Sequence, residues 1–364
     1  MTKIFPPSKF IKDALAERGW TQEVLALITG RSPKSISDII TDKTKISPEI
    51  AQELAVVFDT TPQYWLELEN AFRLAQTDYV DESIEKRKKL FKNFPIAEMQ
   101  KRGWIRHTDK LEEVEPELAK FFETDDLEQE IELKVSYKRT AKEPHLNIAE
   151  KAWLYRAKHL ARMLPVMDFD DNNLDRLLTQ LRRLAAKSRA VVRVPEVLSS
   201  YGIRFVVVEP LPRAKIDGAA FWLGENSPVI AMSLRFNNIG NFWFTLMHEL
   251  SHIKHKDAFS LDDLESLPSD ETEVRANKEA ANALVPEERL ESFIKMYSPY
   301  YSEARINNLA TQLNVHPGII VGQLQYRKEI GYNAHQKIMA KVRELATTMA
   351  FTDGWGHPVP QVRH

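Results

Sequence analysis

The segment NFWFTLMHELSHIKH, residues 241–255, constrains this chain more than any other. It holds His248, Glu249 and His252 in the spacing H-E-x-x-H, behind an apolar run from Phe242 to Met247. On a helix, positions i and i+4 share a face, so the two imidazoles can reach one metal ion while Glu249, one step round, reaches a water beside it. A surface helix with two solvated histidines would satisfy the same five positions. The apolar run argues against it, because it marks a helix sunk into a domain, where unpaired imidazoles and a carboxylate are costly to desolvate. His255 lies on the same face but about 10 Å along the axis from His248, which leaves it a supporting or surface role.

A third ligand has to come from another element. After an acidic loop from Asp257 to Asp270, ETEVRANKEAANALVP (271–286) reads as a helix. Glu273 is the preferred ligand, with Glu271 and Glu279 as rivals that spacing does not separate. Ala276-Asn277 and Ala280-Ala281 are small residues at helical spacing that let this helix lie close to the histidine helix.

The run F-W-F-T-L-x-H-E-L-x-H, with E-x-x-A-N and a closing A-L-V-P, resembles the ImmA/IrrE family of metallopeptidases over roughly residues 150–345. The resemblance implies zinc held by His248, His252 and Glu273, with Glu249 as general base. Two positions depart from the family pattern: Ser251 stands where Gly or Ala is usual, and Glu279 where Phe is usual.

Residues 8–76 read as five short helices, four of which open on Ser or Thr, with Pro next in three; these are favoured residues for the N-cap and the first helical position. Gly30 marks the turn between the second and third, and Leu25, Ile28, Ile36 and Ile39 are the expected helix-turn-helix core. GWTQEVLA, GRSPKSIS and ISPEIAQELA resemble the Xre-type helix-turn-helix, more closely its HigA-type antitoxin version. The resemblance implies a third helix in the DNA major groove, with Lys34 and Ser35 at base edges and Gln22, Ser32, Ser37 and Lys43 at phosphates. Residues 1–60 carry eight Lys/Arg and eight Asp/Glu, so non-specific affinity for DNA should be low. The cations between Arg31 and Lys45 cluster around the third helix and favour specific binding, as a homodimer, over a bundle used only for partner contacts.

Between these regions, residues 79–148 are charged and helical without a chemical motif and are expected to be a connector. SIEKRKKLFKNF reads as a solvated helix face. From Ala149, two amphipathic helices precede IRFVVVEPL, GAAFWLG and SPVIAMSL, three expected strands that lead into the histidine helix. Near the C-terminus, LATQLNVHP (309–317) echoes LALITGRSP (25–33), but the following GIIVGQLQYRKEIG is apolar enough to suit internal packing. The Gly- and Pro-rich tail FTDGWGHPVPQVRH is expected to be loosely held, and its His357 and His364 are not expected to be ligands.

The expected organisation is multidomain: an all-α helix-turn-helix domain (1–78), a helical connector (79–148), an α+β zincin-like metallopeptidase domain (149–300), and a C-terminal helical subdomain and tail (301–364). With 364 residues and 43% hydrophobic composition, the chain has material for two to three cores. No cysteine is present, which excludes disulfides, thiolate ligands and a cysteine nucleophile. The formal charge of −2 gives no global basic signature. No run is long enough to span a bilayer and MTKIFPPSKF lacks a signal-peptide core, so a cytoplasmic location is expected, with no membrane partner. The motifs predict a DNA-binding regulator carrying a zinc endopeptidase; the family resemblance implies that it acts on a cytoplasmic regulator or toxin partner, in stress, prophage or toxin–antitoxin control. The competing reading is an antitoxin or repressor whose zinc domain only senses or stabilises.

Overall fold

The computed structural model describes residues 5–76, 82–108, 110–127, 146–257, 259–260 and 270–358. They fall into two compact units, Met1–Arg87 and Lys88–His364. The expected boundary at 78/79 and the terminal His364 lie outside the described residues.

The first unit contains helices α1 (Pro7–Arg18), α2 (Gln22–Thr29), α3 (Pro33–Ile40), α4 (Pro48–Phe58) and α5 (Pro62–Gln76). Their starts follow the sequence signals: the side chains of Thr21, Ser32 and Ser47 accept from the backbone N–H groups of Val24, Ser35 and Ile50, and Thr61 accepts from Tyr64. Such caps satisfy donors that the first helical turn leaves open, each contributing about 1 kcal/mol. Gly30 closes α2 at φ 69°, a left-handed conformation that a side chain would disfavour. Leu25, Ile36, Ile39, Leu54 and Trp65 form the core. Ile28 is a correction: it is 49% exposed, because α2 ends one residue later and Ala26 fills the buried position instead.

The second unit is built on a five-stranded mixed sheet of order β4-β2-β3-β1-β5. Its strands are β1 (Arg204–Val208), β2 (Gly218–Trp222), β3 (Pro228–Met232), β4 (Phe259–Ser260) and β5 (Phe351–Asp353). β1 runs parallel to β3 and β5, whereas β2 is antiparallel to β3 and parallel to β4. The near-continuous apolar runs FVVV and PVIAM have a simple cause, since both faces of the sheet are covered. Phe205, Val207, Ile230 and Met232 join one core; Val206, Val208, Val229 and Ala231 join the other.

The second core holds the region expected as a connector. From helices α6 (Glu82–Asn93), α7 (Ile96–Lys101) and α8 (Leu111–Phe121), Leu90, Phe94, Met99, Val114 and Leu118 pack into the same cluster as the sheet residues and Trp153. Trp153 belongs to α9 (Ile148–Arg162), a helix buried almost throughout, and its indole N–H donates to the Val208 carbonyl at 2.8 Å. Lys86 to Lys89 remain exposed, as a solvated helix face.

The opposite face carries α10 (Leu174–Leu184), α11 (Val194–Ser200), the histidine-bearing α12 (Ile239–His255), α13 (Asp270–Leu284), α14 (Glu287–Tyr297), α15 (Glu303–Leu313), α16 (Pro317–Tyr326) and α17 (Arg343–Met349). The α15–α16 pair retains a helix-turn-helix-like form, with Asn314 left-handed at its turn. Ile319, Ile320, Val321 and Leu324 of α16 are buried, which is the internal packing their composition implies. The tail departs from expectation. Phe351–Asp353 forms β5 beside β1, and Asp353 is buried, accepting from Trp104 Nε1 at 2.9 Å and from Arg156 Nε at 2.5 Å. A charge pair 3% exposed on both sides fixes this strand in place.

Candidate functional site

Helix α12 presents the site because its apolar side is committed to the core. Phe242, Trp243, Leu246, Leu250 and Ile253 are buried there, so the polar residues spaced among them face α13. Ala276 and Ala280 of α13 are fully buried, and their small side chains allow the two helices to pack closely. Across this contact His248 Nε2 lies 3.0 Å from His252 Nε2, and the Glu273 carboxylate oxygens lie 3.3 Å from each.

The two histidine–carboxylate separations match a tetrahedral ion and the histidine pair lies slightly inside it: ligand bonds of about 2.0–2.2 Å at tetrahedral angles place donor atoms roughly 3.3–3.6 Å apart. The outer ring nitrogens strengthen the case. His248 Nδ1 is 3.1 Å from Asn277 Oδ1 and His252 Nδ1 is 3.1 Å from Asp257 Oδ1. Both partners are acceptors, so each Nδ1 carries the proton and each Nε2 turns a lone pair inward, which is how protein partners set up metal-binding histidines. Two such lone pairs at 3.0 Å repel unless a cation lies between them. Asp257 is itself held by Arg275. The Glu273 carboxylate faces both Nε2 atoms and completes the group as its anionic oxygen donor.

Among the described residues, His248, His252 and Glu273 are the group of three that could hold a metal ion. The rival carboxylates face elsewhere. Glu271 is exposed. Glu279 accepts from Ser251 Oγ at 2.7 Å and pairs with His255 Nε2 at 2.8 Å. The two departures from the family pattern therefore meet each other: a small residue turned hydroxyl on α12 bonds a phenylalanine turned carboxylate on α13. His255 completes this latch, with no part in the metal group. His357 is likewise outside that group.

Glu249 is 6% exposed and directed at β2, where it lies against Gly218. Burial pushes its carboxyl up, against the pull of both histidines. A Cβ on Gly218 would come within 2.7 Å of Glu249 Oε1 and 2.6 Å of Thr245 Cγ2, so a glycine is required where the strand passes the carboxylate. His248 and Glu249 open on a cleft of about 600 Å³.

In the first unit, Gln22, Ser32, Lys34, Ser37 and Lys43 are exposed and Ser35 is half-buried. Lys34, Ser37 and Thr41 recur at i, i+3 and i+7, opposite the buried Ile36, Ile39 and Ile40, so α3 has a polar outer face. Ser32 is engaged as the α3 cap. Arg31 is paired with Glu53, which reduces the free cationic charge at this end.

Sequence reasoning did not assign Asn277, Asp257 or Gly218 to the site. Asn277 was visible in E-x-x-A-N, but only as a small residue; Asp257 read as the start of an acidic loop. Gly218 had no local signal, since its role depends on a helix two elements later.

Residues 11–65 match the family described as helix-turn-helix, and residues 199–325 match the IrrE N-terminal-like domain. The chain is similar to the uncharacterized HTH-type transcriptional regulator YddM of Escherichia coli (strain K12), at 33% identity over 72 residues, covering 20% of this chain and 77% of the relative. A crystal structure of a hypothetical protein from E. coli aligns at 27% identity with a TM-score of 0.22, covering 24% of this chain and 91% of that one. Among the described residues no helix is long and apolar enough to cross a membrane. The chain is an HTH-type transcriptional regulator, with an Xre-type helix-turn-helix domain followed by a metallopeptidase-like domain of the ImmA/IrrE family.

Proposed function

We propose that this regulator binds a double-stranded operator as a homodimer and that its second unit is a zinc-dependent endopeptidase. Its substrate is a cytoplasmic regulator or toxin partner, in stress, prophage or toxin–antitoxin control. One observation carries the enzymatic reading: Glu249 is buried against β2, outside the His248–His252–Glu273 group, yet on the same cleft as His248. A purely structural ion needs ligands but has no use for a buried carboxylate beside them.

His248, His252 and Glu273 would hold the zinc ion, which would supply Lewis acidity toward a carbonyl oxygen and lower the pKa of a water. Asn277 and Asp257 hold the imidazoles in the ligating tautomer. Glu249, buried against β2, takes the proton from the attacking water and delivers it to the departing amine. On the DNA side, the exposed face of α3 supports Lys34 as a reader of base edges, with the half-buried Ser35 beside it and Gln22, Ser32, Ser37 and Lys43 at phosphates.

Glu249→Gln tests the enzymatic reading, because it keeps size and hydrogen bonding while removing the proton acceptor. Zinc content, folding and operator binding should stay near wild type, while cleavage of the cognate partner and release of the controlled promoter under inducing stress disappear. Unchanged promoter release in Glu249→Gln cells would remove the enzymatic reading and leave a regulator with a non-catalytic zinc module.

A further inference from the structure

Three of the large apolar side chains that the second unit leaves exposed converge on the cleft beside His248. Val274 is 68% exposed, Tyr326 66% and Tyr332 74%, and all three line it. Single exposed apolar residues are ordinary, but apolar residues gathered around one concavity mark a binding site. The gathering is continuous with the metal group: the rings of His248 and Phe244 are 6.2 Å apart, and those of Phe244 and Tyr326 again 6.2 Å. A row of rings thus leads from the metal ligand to the wall formed by α16, over the buried Ile319.

Charge in the same cleft is already matched. Apart from His248 and Glu249, its charged residues are Asp217, Lys278, Glu287 and Arg327. Asp217 pairs with Arg235 at 2.9 Å, Lys278 approaches Glu287 at 3.7 Å, and Arg327 approaches Glu287 at 3.7 Å and Glu291 at 3.9 Å. The lining therefore offers a charged side chain no unmatched partner, and an apolar one a ready surface.

We infer that the cleft selects a peptide with a large aliphatic or aromatic side chain next to the bond that is cut, with Phe244, Val274 and Tyr326 as specificity-determining residues. This deepens the endopeptidase reading and rests on it. The test uses the zinc-loaded full chain and two probes, a succinyl hydroxamate carrying an isobutyl group beside its chelating arm and the unsubstituted parent, with affinities measured by calorimetry. Burial of an isobutyl-sized group should make the first probe bind about 10-fold tighter or more. Tyr326→Ser and Val274→Ser change exposed side chains; each should narrow that gap to about threefold and leave zinc content and affinity for the parent unchanged. Equal affinity of the two probes for wild type overturns the inference while leaving the metal centre standing. A full gap in both variants overturns the assignment to these residues. A chain that takes up no zinc, or takes it up and binds neither probe, overturns the accessible-metal reading and the inference together.

Discussion

Asn277→Ala removes the acceptor for His248 Nδ1 without touching a ligand. The lost contact is 3.1 Å long and belongs to an imidazole 14% exposed, so the freed N–H is largely screened from bulk water. Leaving a buried donor unpaired costs about 1–3 kcal/mol, and deleting the partner of a ligating histidine typically weakens metal binding 10–100-fold. Asn277 is only half-buried, and water can enter the space left by alanine, so the expected loss lies near the lower end, about 10-fold. Asn277→Asp supplies a charged acceptor at the same place and should hold zinc at least as tightly as wild type, because a charge-assisted bond is stronger than a neutral one. His255→Ala should change nothing, since its partner is Glu279. Competition with a chromophoric chelator at fixed pH measures all three. Zinc affinity of Asn277→Ala within twofold of wild type, or Asn277→Asp weaker than Asn277→Ala, would refute the tautomer argument.

Asp353→Ala removes the buried carboxylate that accepts from Trp104 Nε1 and Arg156 Nε and should cost the second unit about 1–3 kcal/mol in denaturant unfolding; an unchanged unfolding midpoint would return the tail to the status of a loose appendage. Glu279→Ala leaves the Ser251 hydroxyl, 4% exposed, without its acceptor and should destabilise by about 1–3 kcal/mol. Ser251→Ala combined with Glu279→Phe replaces both halves of the latch by the family's apolar pair and should recover most of that loss, measured by the same unfolding midpoint. Lys34→Ala should weaken the specific operator by about 1–3 kcal/mol, far more than random DNA; equal losses on both in a gel-shift series would make Lys34 a phosphate contact.

The metal group was legible because its geometry is local. His248 and His252 are one turn apart, and the apolar run before them shows which side of the helix is buried. Glu273 stood among three carboxylates that sequence spacing left open, and only the packing of α13 shows Glu279 turned to Ser251 and His255. The helix starts of the first unit were legible for the same reason, since a cap is a contact between neighbours. Ile28 was misread because its spacing from Leu25 fits a helical face, although α2 ends before that face continues. In residues 90–122 the abundance of charge hid an apolar stripe, Val114, Leu118, Phe121 and Phe122, at helical spacing. The tail escaped altogether, because Gly and Pro speak for a loop and the partner that orders Asp353 is 197 residues away.

That separation has a consequence for synthesis. Arg156 leaves the ribosome 197 residues ahead of Asp353, a delay of roughly 10–40 s at ordinary elongation rates of about 5–20 residues per second. Strands β1 to β4 emerge within that interval and wait for their last edge strand, long after the five helices of the first unit have emerged. Translation that stops short of Phe351 releases a polypeptide that holds every residue of the helix-turn-helix region and lacks the strand that pairs with β1 at the sheet edge.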